Sequence, residues 1–273
     1  MRTPKKFMRK NDKIMLRFWK NLLRRFEKLE KSLSIIIQGP LNNRSINTIP
    51  QYLKYGDVIV SCWDNDDLSK LDKYKDSINI VVNKYSDVKR YPSKPGSQAP
   101  WIFQNYTTYN ALMKAKTNLS IKVRSDESYP NLDKLINKLQ ALPDSKNWSK
   151  IITSNIYFRY DREKKFHPSD HIIAGLTSRM RDVFSMSTNL CSRKQPNIDF
   201  PEQLICKAVI ESHRYSSVKH RDILDKSNSK EIMRRHFDII RISDLPGHIW
   251  TSSYRKYDAL YSEEDWCHDI KSL

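Results

Sequence analysis

The chain has 273 residues, with 49 Lys and Arg against 31 Asp and Glu, a formal net charge of +18. That length suits one substantial core, and a 38% hydrophobic content excludes a chain too polar to fold. Such basicity calls for an anionic partner, whether nucleic acid, a membrane surface or a phosphorylated substrate, and says nothing about fold.

The charge is concentrated at the start. Residues 1–31 hold twelve Lys and Arg against three Asp and Glu, half of the net charge. From Lys13 to Lys31 the apolar residues Ile14, Met15, Phe18, Trp19, Leu22, Leu23, Phe26 and Leu29 recur every three or four positions. They predict a basic amphipathic helix. It reads either as an interfacial anchor on an anionic membrane or as a helix packed on the domain with its basic face solvated.

Short apolar runs alternating with helical stretches follow. Ser34–Gln38, Asp57–Cys62, Ile78–Val82 and Leu119–Val123 predict strands, as do Lys150–Phe158 and Phe237–Ile242. Helices are expected over 102–116, Leu132–Leu142 and from Pro201 to about Glu211. The fold class expected is therefore α/β, a mostly parallel sheet flanked by helices, as a single domain over 32–273 after the N-terminal helix.

Cys62, Cys191, Cys206 and Cys267 lie far apart with no C-x-x-C pair, neither a zinc spacing nor a dense disulfide framework. A reducing compartment is their simplest home, so the chain is expected in the cytoplasm, peripheral at the membrane through residues 1–31. No run approaches the roughly 18 apolar residues of a membrane span, and no signal-peptide core is evident.

In open sheets of this kind ligands bind at the carboxyl ends of the strands. The run Leu119–Val123 delivers Arg124-Ser125-Asp126-Glu127 to such an end. Carboxylates there suit Mn²⁺ or Mg²⁺, which would neutralise a departing diphosphate, with Asp126 as first ligand and Glu127 assisting. A solvated acidic turn is the plain alternative. His248, after the last predicted strand, is placed to reach the same metal or diphosphate.

His167 and His171 stand four apart, a zinc spacing on a helix, but Pro168 predicts an irregular segment. A loop whose His167 and Asp170 meet a hydroxylated substrate is the better expectation. Glu202 follows Pro201 in the first turn of a helix. It suits a general base for an acceptor hydroxyl, and equally a carboxylate favouring the positive helix end.

Several segments together resemble the WavE lipopolysaccharide-synthesis family: Ser34–Leu41 (SIIIQGPL), Val58–Asp64 (VIVSCWD), Asn105–Lys116 (NYTTYNALMKAK), Ser120–Asp126 (SIKVRSD) and Phe166–Asp170 (FHPSD). Pro201-Glu202 is similar too. The ordered set runs from about residue 33 to 210.

The resemblance implies a GT-A-like fold and transfer of a sugar from a nucleotide-sugar donor to a glycan or lipid-linked acceptor in surface-polysaccharide assembly. On it, Gln38, Gly39, Pro40 and Asp64 flank the nucleotide, with Arg44, Asn105 and Arg124 as further donor contacts. The helix around Asn105 lacks the arginine expected of the family. Arg124 stands where metal-dependent members of the fold carry the first aspartate of D-x-D. Either Asp126 still holds a metal, or the planar Arg124 cation neutralises the diphosphate. Two further readings stay open: a non-catalytic nucleic-acid-binding protein, resting on the charge of +18, and a sheet that keeps the fold without catalysis.

Overall fold

A computed structural model describes residues 33–88, 99–143, 145, 147–158, 166–191, 198, 201–212 and 229–250. The predicted N-terminal helix lies outside the described residues.

The elements in order are β1 (Leu33–Gln38), α1 (Asn43–Tyr52), β2 (Asp57–Trp63), β3 (Ile78–Asn83), α2 (Ala99–Lys114), β4 (Leu119–Arg124) and β5 (Glu127–Ser128). There follow α3 (Asp133–Gln140), β6 (Ile151–Ser154), β7 (Ile172–Leu176), α4 (Thr177–Cys191), α5 (Pro201–Glu211), α6 (Ser229–His236), β8 (Phe237–Ile240) and β9 (Ile249–Trp250). Seven strands form one sheet in the order β3-β2-β1-β4-β7-β6-β8. β7 runs antiparallel to both its neighbours; every other pairing in this sheet is parallel. β5 and β9 form a separate antiparallel pair.

All six residues of β1 are buried, as a strand covered on both faces requires. Its side chains alternate between two cores. Ile35 and Ile37 pack on the side of Ile49, Tyr52, Leu135 and Leu139, brought by α1 and α3. Ile36 packs on the opposite side with Leu112, Phe184 and Val209, brought by α2, α4 and α5.

The helices are finished by side chains. Asn42 caps α1, accepting from the Ser45 amide at 3.0 Å, while Ser45 Oγ accepts from the Asn42 amide at 3.1 Å. Arg181 donates to the carbonyls of Leu112, at 2.9 Å, and Ala115 at the end of α2. Arg179 donates to Val209 O at 2.5 Å and Ser212 Oγ at 2.8 Å at the end of α5. Both arginines of α4 thus satisfy carbonyls that a helix end leaves unpaired.

Two expectations change in detail, and one strand is added. The strand-like run from Lys150 ends at Ser154, because the chain turns through Tyr157 at φ 53°. The last long strand ends at Ile240, since Ile242–Asp244 forms a 3₁₀ turn whose Ile242 amide donates to Asn155 Oδ1 at 2.9 Å. β7, a five-residue strand holding Gly175, was not foreseen.

Strand order leaves β1 outward through β2 and β3, then returns to β4 on its other side. The reversal point is therefore the carboxyl edge of β1 and β4, where Gln38 lies opposite Arg124. Because β7 is reversed, the loop ahead of it also opens on this edge.

Candidate active site

Backbone geometry draws the first two strand ends close together. Gly39, at φ 126°, donates its amide to Ser61 O at 3.1 Å, and Ser125 N donates to Gln38 O at 2.9 Å. A Cβ on residue 39 would stand 2.5 Å from Ser125 Oγ and would sit on a backbone at positive φ that L side chains rarely adopt, so glycine suits the position. Asn42 Nδ2 then donates to Ser125 O at 3.1 Å, and Arg44 Nη1 to Asp126 O at 3.2 Å. The loop after β1 and the turn after β4 are one connected surface. Pro40 is exposed on it, and Asp64 is exposed one strand further out, accepting from Tyr85 N at 3.4 Å.

Behind that surface lies a charged cluster. Arg124 forks Asp126, Nε to Oδ1 and Nη2 to Oδ2, both at 2.9 Å. Its Nε also lies 3.2 Å from Glu127 Oε1, and its Nη1 lies 3.6 Å from Asp170 Oδ2. Burial opposes the charge of Arg124, yet Asp170, Asp126 and Glu127 outweigh it and hold the guanidinium firmly protonated.

Glu127 is fully buried. Its carboxylate accepts from His171 Nδ1 at 2.5 Å and from the Tyr129 hydroxyl, and His248 Nε2 lies 3.4 Å from Oε2. Burial alone would push this carboxyl up; His171, His248 and Arg124 outweigh burial and hold it well below the usual carboxylate range. His248 also stacks on the Tyr129 ring, with centroids 4.6 Å apart.

Asp170 closes the cluster from the loop ahead of β7. Its Oδ2 accepts from Gln104 Nε2 at 2.9 Å, and its carbonyl accepts from Lys122 Nζ at 2.6 Å. Burial works against its charge, but Arg124, His171 and Lys122 keep the carboxyl below its ordinary value. Lys122 is completely buried inside β4, and burial, only partly offset by Asp170, lowers it to about 8.

The same loop carries a second pair. His167 Nδ1 meets Tyr157 O at 2.8 Å, and its Nε2 lies 3.3 Å from Glu202 Oε2. A carbonyl only accepts, so Nδ1 bears a proton. The Nε2 edge of the ring is the one that faces the Glu202 carboxylate.

The structure brings together Gln38, Gly39, Arg44, Arg124, Asp126, Glu127, Asp170 and His248, with His167 and Glu202 on the adjoining loop and helix. Asn105 does not join them. It is buried against α4, its Nδ2 3.5 Å from Cys191 Sγ and its Oδ1 without a hydrogen-bond partner among the described residues. One residue is about 100° of helix rotation, and Gln104 is the α2 residue that reaches the cluster. Asp170, expected to meet substrate, is instead 3% exposed and turned inward to its cations. Gln104, Lys122 and Tyr129 are not among the site residues expected from sequence, and of these only Lys122 carries a signal, a lysine inside an apolar strand; His171, singled out for its spacing from His167, joins the cluster as the partner of Glu127.

The proposed metal ligands do not fit a cation in this arrangement. Both oxygens of Asp126 are taken by Arg124, Glu127 is enclosed by its own donors, and His248 faces Glu127 rather than open space. Among the described residues, no group of three or more His, Cys, Asp or Glu side chains is arranged around a common point for a metal.

Comparison with known proteins places the chain. No functionally curated protein matches it. Among solved structures, the apo-form glycosyltransferase GlyE of Streptococcus pneumoniae TIGR4 is similar at 13% identity and a TM-score of 0.43, covering 87% of this chain and 59% of that protein. The chain thus spans less than two thirds of GlyE. The galactosyltransferase LgtC, solved with donor and acceptor sugar analogs, is similar at 12% identity and a TM-score of 0.43, over 65% of this chain and 70% of its own. HddC from Yersinia pseudotuberculosis follows at 14% identity and 0.34, over 55% and 79%. The sheet itself, mostly parallel with one reversed strand and helices on both faces, is the α/β plan expected from the sequence. Residues 33–225, well over half of the chain, match the family model described as WavE lipopolysaccharide synthesis. With the ordered motifs and the sheet in agreement, the chain belongs to the WavE lipopolysaccharide-synthesis family.

Proposed function

We propose that the chain is a glycosyltransferase of surface-polysaccharide assembly that takes its sugar from a nucleotide donor. The observation that carries this is the convergence of Gln38, Gly39, Arg44 and Arg124 on the reversal edge of the sheet, with exposed Asp64 beside them. The close-packed Gly39 lets the backbone approach a ligand, and Asp64 is free to meet a base or ribose.

In the reaction the bond from the anomeric carbon to the donor's phosphate oxygen breaks, and its electron pair leaves on that oxygen with the nucleotide. The acceptor oxygen bonds to that carbon and gives up its proton. Glu202 is our candidate to receive it. Its side chain is 14% exposed, at the head of α5, with His167 held behind it by the Tyr157 carbonyl. Asp170 is less suited, because its cations make it a weak base.

The acceptor we propose is a glycan or lipid-linked sugar. Residues 1–31, which carry half of the net charge, would bring the chain to an anionic membrane where such an acceptor is found.

The test is turnover of UDP-, GDP- and CMP-sugars by the purified chain. Glu202→Gln is expected to lower turnover about 10²-fold or more while leaving nucleotide affinity unchanged. Equal turnover would move the base elsewhere, and absence of nucleotide binding would remove the donor reading.

A further inference from the structure

We infer that this chain neutralises the diphosphate of its donor with two of its own guanidinium groups, Arg124 and Arg44, in place of a divalent cation. This rests on the nucleotide-donor reading and adds the means by which the charge is met. Asp126 is the residue that positions both arginines.

Both arginines meet at Asp126, from different elements. Arg124 grips its carboxylate from the end of β4, and Arg44 holds its carbonyl from the first turn of α1. Each keeps donors in hand. Among the described residues, Arg124 Nη1 makes only its 3.6 Å approach to Asp170, and the one hydrogen bond of Arg44 is through Nη1. The Arg124 side chain is 31% exposed, so part of it still meets solvent although its Nε and Nη2 are engaged. Two parallel N–H groups match two phosphoryl oxygens, a geometry that lysine lacks.

The amino end of α1 adds to the same charge. Its cap, Asn42, touches the turn after β4 through Ser125, so the positive end of a ten-residue helix, with Arg44 in its first turn, lies beside that turn.

The carboxylates argue the same way. A cation at Asp126 would have to displace a two-point guanidinium grip. Glu127 has no exposed side-chain surface, and Asp170 is held by Gln104 and faced by Arg124, Lys122 and His171. Each of the three carboxylates already faces Arg124, and Glu127 and Asp170 are held by further donors, His171 and Gln104. No carboxylate of the cluster is therefore left open to a divalent ion, and the arriving diphosphate is the anion that Arg44, whose hydrogen bond among the described residues goes to a carbonyl, still lacks.

The experiment uses the full chain. Calorimetry measures UDP, GDP, their monophosphates and inorganic pyrophosphate, in EDTA and again with Mn²⁺; Mn²⁺ alone is titrated with its free-ion paramagnetic resonance signal as readout. The expected result is diphosphate affinity unchanged within about threefold between the two buffers, with no tight Mn²⁺ binding. Arg44→Gln, a partly exposed change, should weaken UDP about tenfold and narrow its preference over UMP. Arg124→Lys should do the same, and a thermal melt checks that each variant is folded. Loss of UDP binding in EDTA and its return with Mn²⁺ would overturn the inference, as would an unchanged UDP-to-UMP preference in folded Arg44→Gln. Tight Mn²⁺ binding without nucleotide would defeat this inference alone. If no nucleotide binds in either buffer, the donor reading falls and carries this one with it.

Discussion

Replacing Glu127 by Gln removes one charge from the centre of the cluster and almost no volume. The wild-type carboxylate accepts from His171 at 2.5 Å and from Tyr129, with Arg124 at 3.2 Å and His248 at 3.4 Å. The amide keeps one acceptor oxygen but turns an N–H₂ group toward donors, leaving Arg124 and His171 without their shared anion. Breaking a buried pair in this way costs about 3–5 kcal/mol, a large share of the ~5–15 kcal/mol that holds a domain together. For a chain of this size that is a fall of about 10 °C in Tm.

The pH dependence follows from the same carboxyl. Its folded pKa lies below its unfolded one, so its stabilising contribution is complete above the unfolded value of 4.5 and fades as pH falls toward the folded value. Thermal melts of wild type and Glu127→Gln should therefore differ most at neutral pH and converge in acid. A variant within 2 °C or so of wild type at pH 7 would refute the account of Glu127 as the buried anion of the cluster. It would also return Glu127 to the role of a group available to ligands.

Lys122→Met tests the buried lysine. Because the folded pKa, about 8, lies below the unfolded 10.5, the unfolded chain binds more protons between these values, and wild-type stability should rise with pH across that window. The methionine variant should lack this rise, which amounts to something like 3 kcal/mol, and denaturant titrations at pH 7 and 10 would reveal it. Gly39→Ala places a Cβ 2.5 Å from Ser125 Oγ at φ 126°, so about 1–3 kcal/mol of strain and weakened nucleotide binding are expected together; normal binding in calorimetry would dismiss the tight approach. Anionic liposomes should pellet the full chain and fail to pellet one starting at Lys31, whereas equal pelleting would rule out an anchor in residues 1–31.

Much of the scaffold was legible without coordinates. β1 and β2 announce themselves as apolar runs rich in β-branched residues, because a strand covered on both faces has little polar side to show, and β4 does so through Leu119, Ile121 and Val123 despite its buried Lys122. Their carboxyl ends then locate the Gln38-Gly39-Pro40 loop and Arg124-Ser125-Asp126 by topology alone. The similarity of the ordered motifs carried the family. α1 and α4 were missed because their buried faces include Ser45, Thr48, Arg179 and Ser187, which no apolar stripe reveals.

What the sequence left open was which groups spend their charge on one another. Periods and caps act over a few residues, whereas His171 and Glu127 meet across 44 positions and Gln104 and Asp170 across 66. The reversal of β7 turns the loop of His167, Asp170 and His171 onto the ligand edge. The pairing of β5 with β9 sets His248 against Tyr129. Four residues that read as an acidic strand end, Arg124 to Glu127, thereby became a guanidinium with two captive carboxylates. Sequence determined the sheet and the edge on which a ligand would lie, since both follow from local hydrophobic pattern. Only the tertiary structure decided the charge presented at that edge, because it depends on which distant cations are buried against each acid.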